Sequence, residues 1–199
     1  MIAFSFPAGP HVRRHGPAGY SGYESYREWL RDEFTYRCVY CLHRERWEPR
    51  ASSFHIEHFI PVSVNPDGEC EYENLLYACG TCNMAKSAVL NVPDPCKIAF
   101  ADCLRIEADG TVTALNEHGE RLNEVLRLNR DNDVGIRARW IRSLTALQNS
   151  YPELYADYMA FPDDLTDLRR SAPPTNTKPE SVEHCYFAIR ERGELPAMY

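Results

Sequence analysis

Two cysteine pairs stand out by type and spacing: Cys38-Val39-Tyr40-Cys41 and Cys79-Gly80-Thr81-Cys82. Each Cys-x-x-Cys pair forms a knuckle that offers two thiolates to one ion, and four thiolates select a tetrahedral zinc that is closed to substrate. The stretch between the pairs is longer than a simple zinc ribbon needs, so a further element must fold inside it. That stretch carries His55-Ile56-Glu57-His58, and Asn83 and Lys86 follow the second knuckle. A neutral imidazole near its ordinary pKa takes a proton from water at neutral pH, which makes His58 the candidate base. Neighbouring strand residues project in different directions, so Glu57 is expected to do another job and to be free to hold a cation. With the amide oxygen of Asn83 and several waters, Glu57 makes a hard, incomplete site suited to Mg²⁺ or Mn²⁺.

In chain order the elements are Cys38-x-x-Cys41, Glu57-His58-Phe59-Ile60-Pro61, Asn74-Leu75 and Cys79-x-x-Cys82-Asn83-x-x-Lys86. This series resembles the HNH endonuclease family, the ββα-metal or His-Me finger nucleases, in its cysteine-flanked form. The resemblance covers residues 38 to 87, under a third of the chain, and departs from the family pattern at Glu57, where Asp is commoner. It implies hydrolysis of a nucleic-acid backbone, with DNA expected as substrate and RNA open. It also implies that the side chain of Asn74 holds the catalytic His58 through a hydrogen bond; fixing of that kind commonly matters about 10- to 100-fold. Lys86, three residues from Asn83 on the same helix face, is placed to approach a phosphate. His55 is either an extra ligand or, as expected here, a solvent-exposed strand histidine. By analogy alone, small proteins of this type serve bacterial antiviral defence or mobile elements beside an ATPase partner. The competing reading is a non-catalytic zinc module that binds nucleic acid or protein.

Positioning these residues requires an α+β fold: a ββα-metal finger with a four-cysteine zinc, an N-terminal helix and a mostly helical C-terminal extension. Residues 21 to 34 read as an amphipathic helix with a capping box from Ser21 to Glu24 and with Tyr23, Tyr26, Trp29, Leu30 and Phe34 at helical spacing. Helical spacing assigns Tyr20, Tyr23, Tyr26 and Trp29 to the core rather than to base stacking. Residues 54 to 64 read as a strand closed by Asn65-Pro66-Asp67-Gly68, and residues 83 to 90 as a short helix. A second hairpin is expected around Asp109-Gly110, then a helix through Val134, Ala138, Ile141, Leu144 and Leu147, then another from Pro152 to about Phe161. Residues 171 to 176 read as a loop before an aromatic C-terminal segment. The expected division is an arm and helix over 1–34, the nuclease core over 35–92, and a hairpin-plus-helical region over 93–199.

Composition is that of an ordinary globular chain: 44% hydrophobic and 26% charged residues argue against disorder. The apolar start, Met1 to Pro7, breaks at a proline and runs into His11, Arg13 and Arg14, so neither export nor a membrane anchor is expected and a reducing cytoplasm is. There the eight cysteines read as metal ligands plus buried thiols, with Cys70, Cys96, Cys103 and Cys185 as small core residues. The net charge of −7 is awkward for a chain that must meet phosphates. Local surpluses of arginine between Arg13 and Arg50 and between Arg121 and Arg142 are candidates for a basic face, with solvated helix surfaces as the plain alternative.

Overall fold

The computed structural model describes residues 4–47 and 53–199; Met1 to Ala3 and Arg50, which entered the readings above, lie outside the described residues. In chain order come β1 (Pro17–Ala18), a 3-10 turn at Tyr23–Tyr26 that runs into α1 (Arg27–Glu33), β2 (Phe54–His58), β3 (Leu75–Cys79) and α2 (Gly80–Lys86). They are followed by β4 (Leu104–Ile106), β5 (Val112–Ala114), α3 (Glu117–Leu126), α4 (Asp131–Ser150), α5 (Pro152–Met159), β6 (Thr175–Asn176) and α6 (Tyr186–Glu191). Three small antiparallel pairs, β1–β6, β2–β3 and β4–β5, sit among these helices, so the class is α+β as expected.

β2, β3 and α2 form the ββα unit. The register sets His58 opposite Leu75 and Phe54 opposite Cys79, so the strand ends carry the imidazole at one extremity and the second knuckle at the other. β3 is apolar throughout, and Leu75, Leu76, Tyr77 and Ala78 are all buried. Such a run needs cover on both faces. α1 and α2 both pack on this strand.

Three consecutive charged residues of α1, Arg31, Asp32 and Glu33, are buried, and each is paired with groups distant in the chain. Arg31 bonds Glu45 at 3.1 Å and Asp164 at 3.0 Å. Asp32 accepts from Arg14 at 2.5 Å, His15 at 2.8 Å and the backbone N–H of Tyr186 at 2.7 Å. Glu33 accepts from His11 at 2.9 Å, the Tyr72 hydroxyl at 2.9 Å and the N–H groups of Arg14 and His15. Buried charges persist only when paired, and these pairs fasten the N-terminal arm and the C-terminal segment to one helix. A single buried cluster accordingly runs from Phe4 to Ala188 and draws on all three stretches of the chain.

Several local expectations change. Ser21 makes no cap, because the turn begins after Gly22 without a side-chain cap bond and passes into the α-helix only at Arg27. β2 stops at His58 rather than 64; Asn65-Pro66-Asp67-Gly68 is a 3-10 turn within a long connection, not a tight hairpin turn. α2 starts at Gly80, so the second knuckle is its first turn. The span 171–176 ends in a strand, β6, that pairs with β1. The second hairpin is as expected: Gly110 turns at φ +87°, and a Cβ there would lie 2.5 Å from the Val134 carbonyl oxygen of α4. Cys103 and Cys185 are buried, but Cys70 and Cys96 are only half-buried.

Part of the arginine surplus is spent on internal pairs, although Arg127, Arg139 and Arg142 stay exposed. Arg14 and Arg31 hold α1, and Arg44 is buried under Met159 and Tyr199. Arg46 pairs with Asp157 at 2.7 Å. In the second stretch Arg137 is buried and Arg121 pairs with Glu124 at 2.8 Å. Desolvated guanidinium groups bond carbonyls and carboxylates, so counting arginines overstates the basic surface. Among the described residues no helix is long and apolar enough to cross a membrane.

Candidate active site

The metal knuckles come first, because they fix the rest. The Sγ atoms of Cys38, Cys41, Cys79 and Cys82 all lie within 4.8 Å of one another, and Cys41 and Cys79 are 3.7 Å apart. A zinc–sulfur bond of about 2.3 Å requires tetrahedral edges of roughly 3.8 Å, so the four thiols form a cluster that could hold zinc. Leu42 closes the first knuckle in the left-handed region at φ 63°, donating its N–H to the Cys38 carbonyl at 3.0 Å. Burial opposes ionisation of Cys38, yet hydrogen bonds from the other three thiols hold its pKa well below the usual range. Arg137, buried in α4, lines a cavity beside Cys41 and Cys82 and donates to the carbonyls of Gly110 and Leu128.

At the far end of the unit, His58 is half-buried and its Nε2 lies 2.9 Å from the backbone carbonyl oxygen of Glu69. A carbonyl oxygen can only accept, so Nε2 carries the hydrogen in the neutral ring, and Nδ1 is left with the lone pair. His58 shares a shallow cleft of about 250 Å³ with Glu57, Ser63, Asn83 and Ser87. Asn83, on the first turns of α2, is half-buried.

Glu57 is not free, contrary to expectation. It is buried, with Oε1 2.5 Å from Lys86 Nζ and Oε2 accepting from the Tyr40 hydroxyl at 2.9 Å. Burial pushes its carboxyl above the usual range, against the charge of Lys86 and the hydrogen bonds from Lys86 and Tyr40. Burial and the Glu57 charge raise Tyr40 in turn, which keeps it a phenol donor. Lys86 is fully buried and also donates to the His58 carbonyl at 2.9 Å, so it ties α2 to β2 and does not reach out towards a phosphate. Its four-methylene stem runs through the interior, where an ammonium needs fixed acceptors.

Asn74 does not touch the imidazole. Its Oδ1 accepts from Ile60 N–H at 2.7 Å, and its Nδ2 donates to the carbonyls of Ile60 at 3.0 Å and Gly68 at 3.2 Å. The side-chain amide thus mimics a peptide, extending the β2–β3 pairing and gripping the loop next to Glu69. Its effect on His58 passes through the backbone that presents the Glu69 carbonyl.

His55 is exposed and lines a different cavity, about 370 Å³, bounded by Cys79, Met84 and Trp140. That larger space is lined by neither His58 nor Asn83, which both line the smaller cleft. Tyr26 and Trp29 are buried as expected, whereas Tyr20 and Tyr23 are half-buried. Tyr40 and the Glu69 carbonyl escaped sequence reasoning: Tyr40 is a variable position within a knuckle, and a backbone carbonyl leaves no trace in residue types.

Residues 38–88, about a quarter of the chain, match the HNH endonuclease family. That family's general activity is hydrolysis of phosphodiester bonds by nucleases that use divalent metals. None of the curated proteins matches this chain.

Proposed function

We propose that this chain is a divalent-metal-dependent endonuclease that hydrolyses DNA, with His58 as general base. The observation that carries the reading is the bond from His58 Nε2 to the Glu69 carbonyl, which leaves the lone pair on Nδ1, in a residue that lines the same cleft as Asn83 and Glu57. Nδ1 takes a proton from an attacking water as its oxygen bonds to phosphorus. The bond from phosphorus to the 3′ oxygen breaks, and that oxygen takes a proton from solvent, leaving a 5′ phosphate and a 3′ hydroxyl.

The donor set fits a hard cation. Asn83 supplies an amide oxygen, and the Glu57 carboxylate has about four acceptor positions, of which Lys86 and Tyr40 engage only two. Glu57 and Asn83 would hold Mg²⁺ or Mn²⁺ with waters, and the ion would offset charge on phosphorus and on the departing oxygen. Zinc at Cys38, Cys41, Cys79 and Cys82 is structural. Asn74 and Lys86 act as positioning residues, through the Glu69 carbonyl and the His58 backbone respectively.

The acidic net charge and the internal use of Arg14, Arg31 and Arg44 support a further element of the proposal. A protein partner, such as an ATPase in a defence or mobile-element system, would supply part of the nucleic-acid affinity. Cleavage that is absent alone and appears with a co-purifying partner would support it.

The test is incubation of purified protein with supercoiled DNA, linear DNA and RNA in Mg²⁺, Mn²⁺ or EDTA. Nicking that EDTA abolishes is expected. His58→Ala should lower the rate about 10²- to 10⁴-fold while zinc content and melting temperature stay unchanged. Full activity in that variant would refute the assignment of the base.

A further inference from the structure

His58 has a second neighbour that comes from outside the matched segment. The ring of Tyr23, in the turn that precedes α1, meets the His58 ring edge to face, with centroids 4.8 Å apart and planes at 75°. A hydrogen bond from Nε2 to Glu69 fixes one corner of the imidazole but leaves the ring able to tilt about that bond. An aromatic ring packed at this distance removes that tilt, because the offset edge contact is a favoured arrangement.

The elements on the two sides of His58 are themselves joined. Tyr26, one turn after Tyr23, is fully buried, packs edge-on to Tyr20 at 4.9 Å and lies 5.6 Å from Tyr72. Tyr72 follows Glu69 by three residues and is fixed in turn by its hydroxyl bond to Glu33 of α1. The loop that presents the Glu69 carbonyl and the turn that presents the Tyr23 ring therefore move as one piece. Burial and the charges of Glu24 and Glu69 raise the pKa of the Tyr23 hydroxyl and keep it a neutral phenol. What Tyr23 offers His58 is its ring, not a proton.

We infer that Tyr23 is a positioning residue for the base: its ring and the Glu69 carbonyl clamp the His58 imidazole so that Nδ1 faces the cleft. The inference rests on the nuclease reading of that cleft. Small errors in the placement of a reacting group cost rate rather than binding, up to about 10²-fold for displacements near 1 Å. Tyr23→Leu should lower kcat roughly 10-fold with KM for a plasmid substrate held within about 2-fold, and Tyr23→Phe should restore kcat to within about 2-fold.

The test combines these kinetics, on zinc-loaded full-length protein, with a magnetic-resonance readout that needs no activity. In the unsubstituted protein the ring C–H signals of His58 should be shifted by the Tyr23 ring current relative to those of the exposed His118 and His184. Tyr23→Leu should abolish that shift and Tyr23→Phe should keep it. Unshifted His58 signals in the unsubstituted protein would overturn the inference whether or not Tyr23→Leu folds. So would wild-type kcat in Tyr23→Leu alongside an inactive His58→Ala. An active His58→Ala would instead sink the nuclease base assignment and leave the ring contact as packing alone.

Discussion

Glu57 and His58 are neighbours in β2, yet one is buried in the protein core and the other is half-exposed at a cleft. Glu57 points inward to Lys86 and Tyr40, and its carboxylate closes the angle between strand and helix. His58 sits at the cleft with one nitrogen pinned by a backbone carbonyl and the other left basic. The two neighbours thus meet different surroundings across a single peptide bond, and the same Lys86 touches both by bonding the Glu57 carboxylate and the His58 carbonyl.

Removing the ion from the four thiolates should break both surroundings together. Structural zinc contributes roughly 10–16 kcal/mol in small metal-folded units, comparable with or above the roughly 5–15 kcal/mol that keeps a typical domain folded. Circular dichroism after treatment with a strong chelator should show lost structure and no cleavage, with both restored by zinc. A chelated protein with an unchanged melting curve would mean that the knuckles do not depend on metal.

Breaking the Glu57–Lys86 pair is a smaller step. Lys86→Met leaves the Glu57 carboxylate buried without its cation, which should cost about 3–5 kcal/mol and lower the melting temperature by roughly 10 °C. Adding Glu57→Gln should recover much of that stability without recovering cleavage, because an amide replaces the carboxylate offered to the metal. A Lys86→Met protein that melts with the wild type would show that the pair contributes nothing. His58→Ala is the mirror experiment, losing rate and keeping stability.

A second buried carboxylate sharpens the contrast. Burial opposes ionisation of Glu33 too, but hydrogen bonds from His11 and from the N–H groups of Arg14 and His15 prevail and hold its pKa at about 2. A depressed carboxyl contributes stability that is fully present above its unfolded value near 4.5 and is lost as pH falls towards 2. The drop in unfolding free energy across that window should be roughly 3 kcal/mol, measured by urea titration at several pH values, and Glu33→Gln should flatten it. Glu57, shifted the other way, contributes nothing to that acid loss.

Much of this was legible from residue types. The knuckles announce themselves because two thiolates at that spacing have few other uses, and His58 follows from its place between them. The second hairpin followed from Asp109-Gly110, whose turn demands a glycine. What stayed hidden was pairing at a distance. Glu57 and Lys86 read as metal ligand and phosphate contact because a carboxylate and an ammonium have the same letters whether they face solvent, an ion or each other. Arg31, Asp32 and Glu33 lie outside the apolar spacing of their helix, and only their partners, from His11 to Tyr186, reveal them as interior. Asn74 was expected to hold the His58 ring, but its hydrogen bonds go to backbone atoms, which composition does not encode. The β1–β6 ribbon joins segments more than 150 residues apart and has only two residues per strand in which to show a pattern.

The burial of β3 beneath α1 also bears on how such a unit can be inherited or transplanted. A fragment cut to residues 38–88 would carry its thiols, base and amide, but it would expose the face of β3 that α1 covers and lose the ring that leans on His58. The portable module in this protein therefore begins upstream of the motif, near the tyrosine-rich turn, and a crossover placed at the first cysteine would deliver the reactive groups without the wall that aims them.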